Sequence, residues 1–114
     1  MAFRNGDIFF TSSDIGMWSN LPVLIVGKSG ANGIKCITGR HEIVLEKDKL
    51  YPHGRVRPIK EYSYGKNRFR QFRVNFGDDD YIIDIRISDP DSPYKIEDLR
   101  KAAFLKALEK SREA

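Results

Sequence analysis

The stretch FRVNFGDDDYIIDIRI, Phe72 to Ile87, decides how the C-terminal half is read. Phe72, Val74 and Phe76 are in phase, with Arg73 and Asn75 pointing the other way. Tyr81, Ile83, Ile85 and Ile87 share a second face, with Asp84, Arg86 and Ser88 opposite. A period of two sends successive side chains to opposite faces of a strand, so each run carries one apolar face. The Gly-Asp-Asp-Asp between them is a tight reversal. The reading is a β-hairpin with one buried face.

Beyond SDPDSP the period lengthens. Ser92 suits an N-cap with Pro93 at the first helical position, and Glu97 and Asp98 suit the early turns. Ile96, Leu99, Ala103, Phe104, Ala107 and Leu108 fall within half a helical wheel, interrupted by Arg100, with Leu105 outside the arc. Lys106, Lys110 and Arg112 occupy the last turns, where cations are favoured. The spacing predicts a C-terminal helix of roughly 17 to 20 residues docked on the hairpin.

On the N-terminal side, KNRFRQFRVNF (Lys66–Phe76) leaves one ring out of phase. Phe69 keeps step with Arg73, not with Phe72. Either a bulge near Arg70-Gln71 returns it to the core, or it stands exposed among arginines. Pro52 to Asn67, with two prolines and two glycines, reads as a basic connector.

The first half is a series of short β-rich runs. Asp7 to Thr11 is a strand, Ser12 to Leu21 a polar loop, and Pro22 opens the apolar run VLIV. The turn GKSGANG follows, then GIKCITG and EIVLEKDKL, the latter with Ile43, Val44 and Leu45 at its apolar centre. Turn residues at intervals of about ten are the sign of a small barrel or sandwich. A Gly-Asp before the first strand, a long first loop, a strand opening with Pro and the closing Leu50-Tyr51-Pro52 together resemble an SH3-like barrel of the Tudor or KOW type. The resemblance covers residues 4 to about 58 at superfamily level. It implies a binding domain, with partners ranging from RNA and DNA to peptides and methylated side chains. The expected architecture is β-rich α+β. An SH3-like barrel over residues 1–58 precedes residues 59–114, which hold the connector, hairpin and helix, and the two pack as one unit.

Composition bounds the function classes. At 114 residues with 40% hydrophobic and 32% charged residues, the chain has one domain's worth of core. No apolar run reaches the ~18 residues that span a bilayer. MAFRNGDIFF lacks the basic segment, apolar core and cleavage site of a secretory signal, and the expected location is the cytoplasm. The net charge of +4 is unevenly spread: residues 28–73 hold twelve Lys/Arg against four acids, and residues 74–98 hold eight acids against two basic residues. Such polarity steers charged partners.

Catalytic chemistry finds no constellation. His41 and His53 sit in turn-like contexts without an adjacent nucleophile, and GKSGANG lacks the phosphate-loop spacing. Three consecutive aspartates, Asp78 to Asp80, point in different directions and do not space a calcium loop. With one cysteine, Cys36, no disulfide forms within the chain and no zinc set is present. The expectation is a non-enzyme with no cofactor and no metal.

Two binding readings remain. In the first, a small basic accessory protein binds DNA or RNA. Arg57, Lys66, Arg68, Arg70 and Arg73 contact phosphates, and Tyr62 and Tyr64 stack on bases. In the second, the chain is a protein-interaction module, a bacterial or phage-type regulator or inhibitor. It is anchored by Trp18, out of place in a polar loop, together with Phe10 and Tyr51. No membrane partner is expected, and the sequence does not set the oligomeric state.

Overall fold

The computed structural model describes residues 2–87 and 94–113. Ser92 and Pro93, read above as helix cap and first helical residue, and Ser88 lie outside the described residues. The described residues form seven antiparallel strands and one C-terminal helix, a sheet-rich α+β arrangement. They divide into two compact units, Met1–Arg55 and Val56–Ala114.

Unit 1 contains β1 (Asp7–Thr11), β2 (Pro22–Ser29), β3 (Gly33–Thr38), β4 (His41–Glu46) and the first residues of β5 (Leu50–Tyr64). Single 3₁₀ turns lie at Gly16–Trp18 and Lys47–Lys49. The strand order is β4-β3-β2-β1-β5, and no ladder among the described residues joins β4 to β5, so hydrogen bonding does not close a barrel. The run VLIV is apolar throughout because Val23 and Ile25 are buried on one face and Leu24 on the other. Phe9, Val23, Ile25, Ile34, Cys36 and Leu50 form one cluster, with Phe3, Ile43 and Leu45 packed against it. Burial pushes the Cys36 thiol up to about 12, which keeps it an inert core residue.

Three expectations for this half are corrected. β2 runs on to Ser29, through residues read as turn, with a register shift between Ile25 and Gly27. The strand in EIVLEKDKL stops at Glu46, and Val44, read as central apolar, is 54% exposed on its outer face. The supposed connector from Pro52 is strand as far as Tyr64. Pro52 is tolerated there because it pairs with Phe9 where the β1–β5 register shifts, a position that spares the missing N–H.

Unit 2 holds the rest of β5, β6 (Asn67–Phe76), β7 (Asp79–Ile87) and α1 (Ile96–Glu113), with strands ordered β5-β6-β7. The helix is 18 residues long and packs on β6 and β7. Phe72, Val74, Phe76, Ile83, Ile85 and Ile87 are buried on one sheet face, and Ala103, Phe104, Ala107 and Leu108 on the helix. Gly65 and Gly77 open the two hairpin turns at φ 62° and 59°, a region glycine enters without a Cβ penalty.

The β6–β7 ladder runs from Arg68↔Ile87 to Phe76↔Asp79 in one unbroken register. There is no bulge at Arg70-Gln71. Phe69 therefore lies on the face opposite Phe72 and is half-buried there.

Candidate binding surfaces

The unbroken register divides the basic stretch in two. Arg68 and Arg70 share the sheet face of Phe72, whereas Arg73 shares the opposite face with Phe69. The three arginines expected to act together do not form one surface.

Each group is engaged within the chain. On the first face, Arg68 donates to Glu61, and Arg70 Nη1 lies 3.7 Å from the same carboxylate. The Tyr94 hydroxyl donates to Glu61 Oε2 at 2.9 Å. The Arg68 guanidinium, then the Tyr94 hydroxyl, hold the Glu61 carboxyl below the usual carboxylate range. Arg70 Nε is buried without a hydrogen-bond partner. On the other face, Arg73 Nη2 donates to Asp80 Oδ2 at 2.6 Å, and its Nε reaches both carboxylate oxygens at 3.1 Å. That fork keeps Asp80 ionised below its ordinary range.

The tyrosines part company too. Tyr62 stacks on Phe69 across the hairpin, with ring centroids 5.3 Å apart and planes 18° from parallel, and Lys60 Nζ sits 5.6 Å from the Tyr62 ring centroid. A hydrogen bond to Asp84 pushes the Tyr62 hydroxyl up. Tyr64 stands 78% exposed beside the turn that carries Lys66. Arg57 is exposed on β5. An open sheet face with Lys60, Tyr62, Phe69 and Arg86 is thus distinct from the Arg68–Arg70 side.

In unit 1, β1 delivers Phe10 and the start of β5 delivers Tyr51, directly paired in the ladder. With Thr11, Ser12, Ser13, Asp14 and Asn20 they line an open cleft of about 420 Å³. Tyr51 is 54% exposed, and Phe10 leans on His53 with centroids 5.0 Å apart. The first loop is tied into shape around buried Thr11. Its hydroxyl donates to the Trp18 carbonyl at 2.5 Å and accepts from Leu21 N–H at 2.8 Å. Lys49 bonds Asp14 at 2.9 Å and, with the Ser12 hydroxyl, lowers the Asp14 carboxyl.

Trp18 is not among the cleft-lining residues. Its half-buried indole packs on His41, centroids 5.3 Å apart, while neighbouring Met17 is 79% exposed. Phe10 and Tyr51 are therefore brought together, and Trp18 faces elsewhere.

Sequence reading missed Ser12, Asp14 and Asn20 as cleft residues. The usable signal was Asn20, a type that tolerates the left-handed backbone it adopts at φ 56°. Among the described residues no group of three or more His, Cys, Asp or Glu side chains is placed to hold a metal ion. No helix is long and apolar enough to cross a membrane. No family model, no curated protein and no solved structure matches the chain.

Proposed function

We propose that the chain is a non-enzymatic, cytoplasmic protein-interaction module that takes an extended peptide segment of a partner protein in the Phe10–Tyr51 cleft. The observation that carries this reading is the cleft: an exposed tyrosine beside a second ring, bordered by a loop of hydroxyl, amide and carboxylate groups. Aromatic residues with one polar end are favoured contact residues because they bury large area at small entropic cost. Extended peptides commonly dock in such aromatic-lined grooves, using ring contacts for affinity and loop polar groups for register. The fold reading that accompanies it is an SH3-like barrel in residues 1–58. The strand order β4-β3-β2-β1-β5, the long first loop and the 3₁₀ turn before β5 support it.

Selection from a random displayed-peptide library tests the proposal. Selected peptides are expected to bind the wild-type chain and to lose at least about tenfold in affinity with Tyr51→Ala or Phe10→Ala. Failure to select any peptide, or selected peptides indifferent to both substitutions, overturns it.

Nucleic-acid binding is the second reading, favoured by one observation. The Tyr62–Phe69 stack lies on an open sheet face beside Lys60 and Arg86. In that reading Lys60, Tyr62, Arg86 and the exposed Tyr64, Lys66 and Arg57 make the contacts. Arg68 and Arg70 hold the fold. Oligonucleotide binding abolished by Lys60→Ala with Tyr62→Ala, and retained without Arg68, would favour it.

A further inference from the structure

The outer edge of β7 is built to pair with a strand, and we propose that it pairs with β7 of a second copy of this chain. Among the described residues β7 has a ladder partner on one side only, because the order β5-β6-β7 ends with it. Edge strands are normally blunted by shortness, bulges, proline or charged side chains, lysine above all, since their free N–H and C=O groups template association. β7 is nine residues long, DDYIIDIRI, with neither proline nor lysine and no bulge in its ladder with β6. Its charges, Asp79, Asp80, Asp84 and Arg86, are of both signs, so they deter pairing with most strands but can match a strand of complementary pattern. Ile82 is 51% exposed on its open face, between Asp80 and Asp84 and followed at the same phase by Arg86.

The sequence of that face selects one arrangement. An antiparallel pair of identical strands has a two-fold axis, and the axis position fixes every opposing pair. Through Ile83, the centre of β7, all nine residues overlap. Asp80 then faces Arg86 of the second copy, and Arg86 faces Asp80 in return. Tyr81 faces Ile85 on the inner side; on the outer side each Ile82 faces Asp84, and the two Ile82 side chains meet on the diagonal. Moving the axis one residue toward either end sets Asp84 against Asp84, or Asp80 against Asp84, and shortens the ladder. Like charges directly opposite disfavour both slips. Placing the axis between residues puts the buried isoleucine face of one strand beside the solvated face of the other, which the alternation forbids. Full overlap and charge complementarity therefore coincide in one register. Asp80 already accepts from Arg73, but a carboxylate has lone pairs for a second guanidinium.

Such a contact is small, and it should form reversibly with concentration. Sedimentation equilibrium on the full chain, from micromolar to millimolar, is the test. The expected result is a monomer–dimer equilibrium, weakened at least about tenfold by Arg86→Glu and by Ile82→Lys, with each variant's circular dichroism matching wild type. Because the pairing is reciprocal, mixing the Arg86→Glu chain with an Asp80→Arg chain should restore a dimer that neither variant forms alone. A monomer at every concentration overturns the proposal. So does a dimer indifferent to both substitutions, or a mixture that stays monomeric.

Discussion

The two units use paired aromatic residues in opposite ways. In unit 1, Phe10 and Tyr51 oppose each other across the β1–β5 ladder and leave a cleft open between ring and loop. In unit 2, Tyr62 and Phe69 close on one another as a stack, and the arginines nearby are held by Glu61 and Asp80. The sheets differ in the same sense. Register shifts interrupt β1–β5 and β2–β3, whereas β6–β7 keeps a single register throughout. Irregular ladders bend and re-aim side chains, and regular ones repeat a face. A basic, ring-rich stretch can therefore be scaffold, while a plainer loop and one exposed tyrosine form the opening.

The comparison breaks most visibly at the core of unit 2. Phe104 is fully buried, so Phe104→Ala should cost about 3–5 kcal/mol in urea unfolding followed by the helix signal. Arg73→Ala on the solvated face should change the midpoint far less, because its pair is exposed. Equal losses would mean that the arginine face carries the unit.

A sharper test lies in the β2–β3 turn of unit 1. A Cβ at Gly33 would stand 2.3 Å from the Ser29 carbonyl oxygen, while one at Gly27 meets nothing closer than 3.7 Å. Gly33→Ala should thus destabilise by about 1–3 kcal/mol and Gly27→Ala by much less, read from denaturant midpoints. The reverse order would contradict the backbone geometry of that turn.

The smallest effect concerns pH. Asp80, held by Arg73, and Glu61, held by Arg68 and Tyr94, have folded-state pKa values below their ordinary ones. Their contribution is present above the ordinary carboxylate range and is lost as pH falls through the lowered values, since the unfolded chain then binds the protons first. The urea midpoint should fall as pH drops below about 5, less steeply in Asp80→Asn, and added salt should narrow the difference. Identical slopes in both proteins would remove the ion pair from the account.

The hairpin and helix were legible because each buries a single face, and burial on one face writes its period into the sequence. Phe72 and Ile83 announce a strand, and Ala103 and Phe104 a helix. β5 was hidden for the converse reason. Leu50 and Val56 are its only buried residues, so no alternation marks it, and Pro52 and Pro58 argue for a connector. The ion pairs were illegible until register placed Asp80 across from Asn75, on the same face as Arg73 and two residues along β7 from Arg73's own partner Ile82. The cleft depends on Thr11 hydrogen bonds and on a left-handed Asn20, which local composition does not encode.

Arg68 and Arg70 are engaged by Glu61 on one face of unit 2 and Arg73 by Asp80 on the other, and we propose that the three do not act together as a phosphate-binding surface. Fluorescence anisotropy with labelled single- and double-stranded DNA and RNA, at two salt concentrations, addresses it directly, with the Arg68→Ala/Arg70→Ala/Arg73→Ala chain as control. The triple substitution is expected to leave any oligonucleotide binding and its salt slope unchanged. Tight binding that weakens steeply with salt and collapses in the folded triple variant would contradict it.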